Sequence, residues 1–215
     1  MKVGLLGGSF NPAHGGHRRI SLFAAAALGL DEVWWLVSPG NPLKPKAGMA
    51  PLEARFASAA AQARRAPIRV TAIERELGTR YTVDTLRAIT RRYPKNRFVW
   101  LMGADNLAQL HLWRDWRRIA RMMPIAVVAR PSYDDAAIAS PAMAWLRRYR
   151  IAPGRFRQQG QWSVPALIML RFDPDPRSAT ALRLDEPDWA GVIGTQFLRD
   201  QVTHKPIGPA GDHRA

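Results

Sequence analysis

The stretch that decides the fold lies at the amino terminus, where Val3-Gly4-Leu5-Leu6 is followed by Gly7-Gly8-Ser9-Phe10-Asn11-Pro12-Ala13-His14-Gly15-Gly16-His17. The first four residues are typical of a short buried strand, and the residues from His17 onward have helical apolar spacing. Paired glycines let the backbone between two such elements approach a phosphate closely. The stretch therefore predicts a strand, an anion-binding turn and a helix.

Strand and helix patterns alternate along the rest of the chain. Apolar, β-rich runs predict strands at 3–6, 33–37, 68–73, 98–102, 125–129 and 166–172. Helical spacing is found at 17–28, 51–65, 83–92, 113–122 and 137–150. The strands are apolar almost throughout, which is typical of strands covered on both faces. We therefore expect an α/β fold, a Rossmann-like doubly wound, mostly parallel sheet with helices on both faces.

Length and composition limit the class of protein. The chain has 215 residues, a size that favours one domain, which we place at 1–204 with a disordered Pro- and Gly-containing tail at 205–215. Cysteine is absent, which excludes disulfides and thiolate chemistry. The sequence shows no secretory signal and no long apolar run, so we expect a cytoplasmic protein. The net charge of +15 favours polyanionic or phosphorylated partners.

Two histidines follow the first predicted strand. His14 and His17 are three residues apart and share one face at the start of a helix. Beside a phosphate-binding turn, two imidazoles can donate hydrogen bonds to oxygens that gain charge during phosphoryl transfer. The pair also suits two other roles, helix capping or metal binding, although no third metal ligand stands at helical spacing.

A second candidate phosphate site lies near the carboxyl terminus, in residues 176–183. Ser178 is suited to cap a helix, and Thr180 and Arg183 would face the same way on its first turn. Hydroxyls and a guanidinium at a helix start can bind phosphate. The alternative is a capped helix with a surface arginine.

The amino-terminal motif resembles the G-[ST]-F-x-P-x-H-x-G-H signature of a nucleotidyltransferase superfamily that adenylylates small phosphorylated substrates. In that superfamily the two histidines contact the ATP phosphates at the transition state, which implies this role for His14 and His17. Residues 176–183 resemble its I-S-S-T-x-I-R motif. This chain keeps Ser178, Thr180 and Arg183, and replaces the other positions with Arg177, Ala179 and Leu182.

Further segments resemble one family within that superfamily, the nicotinate-nucleotide adenylyltransferases. Residues 76–86 are similar to its S-Y-T-x-D-T-L segment, with Arg80 where serine is common. Residues 101–106, followed by Trp113 and Trp116, are similar to its G-x-D…W…W block.

Residues 125–133 resemble the same family's strand ending in R-P-x-Y, in which Arg130 is the arginine. With this segment, the resemblance runs in order from residue 3 to about residue 200. It implies transfer of AMP from ATP to nicotinate mononucleotide, giving deamido-NAD and pyrophosphate in NAD biosynthesis. It also implies that residues 178–204 complete the phosphate site.

The resemblance assigns roles to individual residues. The catalytic residues implied are His14, His17, Lys44 and Arg183. The ATP-binding residues implied are Gly8, Ser9, Phe10, Gly103, Asp105, Ser178 and Thr180. Lys44 lies in the loop 41–46, in which Leu43 replaces the family's usual histidine. Mg²⁺ is expected to arrive with ATP, with no metal site in the protein and no tightly bound organic cofactor.

The nicotinate mononucleotide contacts implied are Tyr81, Thr82, Trp113 and Arg130. Backbone N–H groups near Tyr81 and Thr82, at a helix start, can bind the carboxylate of the pyridine ring. An indole face, assigned to Trp113, suits the flat cationic pyridinium.

Other interpretations stay open at this point. Trp113 and Trp116 suit a core, Asp105 suits a helix N-cap, and Lys44 suits an exposed loop. Another acceptor, nicotinamide mononucleotide or phosphopantetheine, fits the same superfamily. A basic nucleic-acid-binding module is the rival from a different class, since residues 140–172 contain six arginines and no acidic residue. We expect ATP and nicotinate mononucleotide as partners, with neither membrane nor nucleic acid as a functional partner.

Overall fold

The computed structural model describes residues 1–40, 48–129, 134–160, 162–172, 179–195 and 198–208. Its strands are β1 (Lys2–Gly8), β2 (Glu32–Val37), β3 (Ile68–Thr71), β4 (Arg97–Gly103), β5 (Ile125–Ala129) and β6 (Leu167–Arg171). All six predicted strands are therefore present, with small shifts at their ends.

The strands form one sheet in the order β3-β2-β1-β4-β5-β6, and every neighbouring pair is parallel. This confirms the expected doubly wound α/β fold. The strand order reverses between β1 and β4. Ligands of such sheets bind outside the carboxyl ends of the strands at this reversal, so the residues after Gly8 and Gly103 lie where a site is expected.

The helices follow the strands in the alternation that the sequence predicts. They are α1 (Gly15–Leu28), α2 (Leu52–Ala63), α3 (Ile73–Leu77), α4 (Thr82–Arg92), α5 (Ala104–Gln109), α6 (Trp116–Met122), α7 (Asp134–Ile138), α8 (Pro141–Leu146), α9 (Pro153–Gln158), α10 (Ala179–Asp185) and α11 (Trp189–Val192). Single 3₁₀ turns occupy 110–112 and 147–149.

Two apolar cores cover the two faces of the sheet. Because side chains alternate along a strand, Trp34 lies in one core and its neighbour Trp35 in the other. Helix α4 adds Leu86 to the first core, and α1 adds Leu28 to the second. Burying a leucine fully contributes about 1.5–3 kcal/mol relative to leaving it exposed. This two-sided burial explains why the strand segments are apolar almost throughout.

The end of the third predicted strand is wrong. The run 68–73 was expected to be one strand, but β3 ends at Thr71 and Ile73 begins α3. The hydroxyl of Thr71 accepts a hydrogen bond from the Ile73 N–H, which turns the chain into the helix. Ile73 remains fully buried, so its apolar character did not distinguish strand from helix.

The predicted helix 137–150 is also wrong, because it breaks into α7, α8 and a 3₁₀ turn. Ser140 caps α8 by accepting from the Met143 N–H at 3.1 Å, and Pro141 occupies the first turn. The predicted helix 113–122 starts later, at Trp116, because Asp115 adopts a left-handed conformation with φ of 49°.

The last described segment, 198–208, returns to the edge strand β3. The Gln201 N–H donates to the Val70 carbonyl, and the Val70 N–H donates to the Gln201 side chain. Ile207 is buried, and the Gly208 carbonyl accepts from Arg75. Residues 205–208, which the sequence assigned to a disordered tail, therefore belong to the packed part of the chain, and 209–215 lie outside the described residues. Within the described ranges no helix is long and apolar enough to cross a membrane.

Candidate active site

The turn after β1 is shaped by close packing. A Cβ at Gly7 would lie 2.6 Å from Cη2 of Trp100, so only glycine lets β1 pass this indole. Phe10 has a left-handed φ of 48° and is buried, with its ring stacked 5.0 Å from Trp35. Only the backbone of Phe10 can therefore serve a ligand.

His14 and His17 cap α1 reciprocally. His14 is the N-cap, and its Nδ1 accepts from the Gly16 N–H at 3.1 Å. Nδ1 of His17 accepts from the His14 N–H at 3.2 Å, and the two rings lie 4.0 Å apart. Because each Nδ1 accepts, the proton of each neutral imidazole lies on Nε2. Capping therefore uses Nδ1 of both rings and places the proton on Nε2, so the capping and phosphate-binding interpretations are compatible.

The carboxyl-terminal motif meets the same turn. Nη1 of Arg183 donates to the Asn11 carbonyl at 2.6 Å, across 172 positions of sequence. Nη2 of Arg183 donates to the Thr180 hydroxyl at 3.2 Å, so the two side chains share a face as predicted. Helix α10 thus brings a guanidinium beside the histidine motif.

The end of β4 lies beside the end of β1. Gly103 is the N-cap of α5, and Asp105 is an exposed residue in the first turn of that helix. A Cβ at Gly103 would collide with the Asp105 carboxylate, so the glycine leaves room for it. The interpretation of Asp105 as the N-cap is wrong, since Gly103 holds that position.

A cavity of about 170 Å³ opens beside the β1 turn. Its wall contains Gly8 and Ser9 of the turn together with Tyr81, Thr82 and Trp113. The structure therefore joins the predicted phosphate turn and the predicted pyridine-ring residues in one cleft.

The two tryptophans have different environments. Trp113 is half-buried on the cleft wall, with its ring 6.4 Å from that of Trp100. Trp116 is buried at 9 % exposure in the core, as the alternative interpretation held.

Helix α4 points its amino terminus at the cleft. Tyr81 is its N-cap, and no side chain caps the first turn. The Tyr81 carbonyl accepts from the N–H groups of Asp84 and Thr85, which lie further along the helix. The N–H groups at the very start of α4, with the positive end of the helix dipole, suit a carboxylate.

Glu74 is a cleft residue that the sequence reasoning missed. It stands on α3, lines the cavity and keeps part of its side chain exposed. Burial raises the pKa of Glu74 to about 7, and a hydrogen bond with Ser38 opposes the rise. The available signal was a carboxylate directly after the predicted strand 68–73, at a position that no motif marks.

Three predicted site residues, Lys44, Arg130 and Ser178, lie outside the described residues. Among the residues that are described, no group of three His, Asp or Glu side chains could hold a metal ion. The metal interpretation of His14 and His17 therefore finds no third ligand there.

Comparison with known proteins places this chain in a family. A family model described as cytidylyltransferase-like matches residues 5–185. A probable nicotinate-nucleotide adenylyltransferase of Erythrobacter litoralis is 69 % identical over 207 residues, covering 96 % of this chain and 94 % of that protein. A protein of the same name from Parvibaculum lavamentivorans is 52 % identical over 183 residues, covering 85 % and 91 %.

Among solved structures, the Plasmodium falciparum nicotinic acid mononucleotide adenylyltransferase complexed with NaAD aligns with a TM-score of 0.63. The alignment covers 85 % of this chain and 82 % of that one at 13 % identity, and it supports the fold alone. The sequence matches go further than the fold: the chain belongs to the nicotinate-nucleotide adenylyltransferases, within the cytidylyltransferase-like family.

Proposed function

We propose that this protein transfers AMP from ATP to nicotinate mononucleotide, releasing pyrophosphate and forming deamido-NAD. One observation carries the proposal: a single cleft joins the turn of the histidine motif to Tyr81, Thr82 and Trp113. The names of the relatives at 69 % and 52 % identity support the same reaction.

The reaction needs positioning and charge stabilisation rather than a covalent enzyme intermediate. An oxygen of the nicotinate mononucleotide phosphate attacks the α-phosphorus of ATP in line. The new P–O bond forms as the bond from the α-phosphorus to the bridging oxygen breaks, and pyrophosphate leaves with that electron pair. The enzyme must therefore stabilise negative charge that grows on the leaving group.

Residues of the β1 turn and α10 are suited to stabilise this negative charge. Nε2–H of His14 and of His17 would donate to phosphate oxygens, and the guanidinium of Arg183 would add positive charge beside them. Lys44 and Ser178 complete the proposed phosphate set, with Thr180 beside Arg183. Hydrogen bonds within the protein hold the His14 and His17 imidazoles and the Arg183 guanidinium before substrate arrives, which lowers the reorganisation needed in the transition state.

Nucleotide binding is assigned to the ends of β1 and β4. The backbone of Gly8, Ser9 and Phe10 would follow the ATP phosphates, because Gly8 has no side chain and the Phe10 side chain is buried. Asp105, exposed next to Gly103, would accept hydrogen bonds from the ribose hydroxyls. Mg²⁺ belongs to the substrate in this proposal, because it arrives bound to the triphosphate oxygens.

The acceptor occupies the other end of the cleft. The N–H groups at the start of α4 would bind the nicotinate carboxylate, and the half-buried Trp113 ring would pack against the pyridinium. Arg130 is proposed as a further contact with the acceptor. The aromatic wall suits a flat ring, and the helix start suits a negatively charged group, so together they fit the nicotinate ring and its carboxylate.

The test is pyrophosphate release from MgATP in the presence of nicotinate mononucleotide, with nicotinamide mononucleotide and phosphopantetheine as alternative acceptors. We expect fast release with nicotinate mononucleotide and formation of deamido-NAD in equal amount. Equal rates with the nicotinate and nicotinamide compounds would contradict the assignment of acceptor. Absence of turnover with all three acceptors would contradict the proposed activity itself.

A further inference from the structure

Two arginines flank Tyr81 at the acceptor end of the cleft. The guanidinium carbon of Arg114 lies 4.8 Å from the centroid of the Tyr81 ring, and that of Arg80 lies 5.9 Å from it. Both arginines line the cavity, and both are exposed to solvent. Arg80 directly precedes Tyr81, and Arg114 directly follows Trp113. The residues proposed to hold the pyridine ring thus each have a cation beside them.

We infer that Arg80 and Arg114 form a cationic pair that selects the carboxylate of nicotinate mononucleotide over the carboxamide of nicotinamide mononucleotide. This inference rests on the proposed function and deepens it by naming residues that determine specificity. Serine is common at this position in the family motif, and this chain has Arg80 in its place.

The charges around the pair leave it positive. Within the described residues, no carboxylate lies within 4.0 Å of the Arg80 side chain. Arg114 approaches Asp84 at 4.0 Å, but Asp84 is shared with Arg87 at 3.9 Å. Among the described residues that line the cavity, the carboxyl group is that of Glu74, whose raised pKa keeps a large neutral fraction near pH 7. An anionic ligand therefore meets two cations at this end of the cleft.

Charge is what distinguishes the two candidate acceptors here. Nicotinate and nicotinamide mononucleotides share the pyridinium, the ribose and the phosphate, and differ only in the carboxylate or carboxamide. The N–H groups at the start of α4 can donate to an oxygen of either group. A guanidinium strengthens its bond to a carboxylate by charge, and it has no acceptor for the carboxamide NH₂. The arginine pair therefore adds charge-based discrimination to the preference for an anion that the helix dipole at the start of α4 gives.

The experiment compares the ratio of kcat/KM for nicotinate mononucleotide to that for nicotinamide mononucleotide. The variants are Arg80→Ser, Arg80→Lys, Arg114→Gln and the double variant Arg80→Ser/Arg114→Gln. Arg117→Gln is the matched control, since its guanidinium packs 4.8 Å from the Trp116 ring and does not line the cavity. Quenching of tryptophan fluorescence by each mononucleotide gives the same comparison for binding without turnover. Circular dichroism melts check that each variant folds.

We expect the ratio to fall about fivefold in Arg80→Ser and about tenfold or more in the double variant. Arg80→Lys should keep most of the ratio, and Arg117→Gln all of it. Added salt should lower the wild-type ratio more than that of the double variant, because exposed charges are screened.

Equal losses with both acceptors would overturn the inference, because the arginines would then act on the shared phosphate or ribose. An unchanged ratio in a folded double variant would overturn it as well. Wild-type protein that turns over neither acceptor but binds nicotinate mononucleotide selectively would overturn the proposed function alone. The binding ratio in the variants would then still decide the role of the arginines.

Discussion

At the scale of single residues, one nitrogen of each active-site imidazole has a structural task. Nδ1 of His14 and Nδ1 of His17 accept backbone N–H groups at the start of α1. This fixes the tautomer of both rings and holds Nε2–H as a donor. Folding of the helix start and preparation of the phosphate site are therefore one event.

Replacing His17 tests this double role. His17→Ala should lower kcat by about 10²- to 10³-fold, because one donor to the developing charge is lost. It should also lower the free energy of unfolding by about 1 kcal/mol, because the His14 N–H loses its acceptor. Steady-state kinetics and urea unfolding measure the two effects separately.

His17→Gln is the matched control for His17→Ala. A glutamine at the third helical position can reach back to the N-cap N–H, so stability should return while the imidazole stays absent. A His17→Ala enzyme with near-normal kcat would remove the histidine from the proposed mechanism. Equal stability of the alanine and wild-type proteins would contradict the capping role.

Glu74 predicts a pH dependence of stability. Its pKa is raised from 4.5 to about 7 in the folded protein. Below pH 4.5 the carboxyl is protonated in both states, and as pH rises toward 7 only the unfolded state ionises readily. The stability contribution of the neutral carboxyl is therefore lost across this window, and the loss is complete above pH 7.

Glu74→Gln should remove that loss. Its free energy of unfolding should match wild type near pH 4 and exceed it by up to about 3 kcal/mol at pH 8. Urea unfolding at several pH values checks this, with Glu186→Gln on the exposed surface as the control. A pH-independent difference between Glu74→Gln and wild type would contradict the assignment.

At the scale of elements, periodicity predicted the strands well and the short helices poorly. The strands are buried on both faces, so their apolar runs are clear. Short helices such as α3 and α5 bury only one or two side chains each, and they leave no recognisable period. The segment 137–150 has the opposite problem, since its apolar spacing continues through a break that Ser140 and Pro141 specify.

Ser140 should be measurable as the cap of α8. Its Oγ accepts from the Met143 N–H at 3.1 Å and donates to the Ala137 carbonyl at 2.7 Å. Ser140→Ala should cost about 1–2 kcal/mol of unfolding free energy, because a buried hydroxyl and a cap are lost together. Ser140→Thr, which keeps the hydroxyl, should cost less. Thermal or urea unfolding measures the loss. A loss below about 0.3 kcal/mol in Ser140→Ala, roughly a third of what a typical cap contributes, would contradict the capping role.

At the scale of the whole molecule, packing gives a role to several of the arginines that make the net charge +15. Several arginines lie over aromatic rings away from the cleft, where their side chains cover apolar surface: Arg19 on Phe172, Arg92 on Tyr93, Arg97 on Trp162, and Arg117 and Arg121 on Trp145. Composition could not separate these from cations that face a ligand. The fold places Arg80 and Arg114 on the cleft wall and Arg183 at the turn beside it.

Sequence motifs identified residues at both ends of the cleft, but they did not predict the long-range contacts that hold the surrounding segments together. His14, Tyr81 and Trp113 were identified because family motifs mark them. Arg183 was expected near the phosphates, yet its bond to the Asn11 carbonyl depends on the path of 172 residues. Asp200 belongs to no motif, although it binds the segment 198–208 to the turn before the helix that carries Glu74.

Asp200 provides the last prediction, because it connects the final described segment to the turn between β3 and α3. One carboxylate oxygen accepts from the Thr71 hydroxyl at 2.9 Å and from the Ala72 N–H at 2.7 Å. The other accepts from the N–H groups of Val202 and Thr203. Asp200 is 2 % exposed, so its removal would leave buried donors unsatisfied.

Asp200→Ala should therefore lower the free energy of unfolding by roughly 2–5 kcal/mol. Hydrogen exchange at the Ala72 amide should accelerate more than exchange in β1, because the loss is local before it is global. The free energy of unfolding of Asp200→Asn should fall between those of Asp200→Ala and wild type, since the amide NH₂ must face N–H donors on one side of the side chain. The control is Asp188→Ala, because Asp188 is an exposed residue whose side chain forms no cap bond. Equal unfolding free energies for the two alanine variants would show that the carboxyl-terminal segment is held by its apolar contacts alone, with Ile207 as the leading contributor.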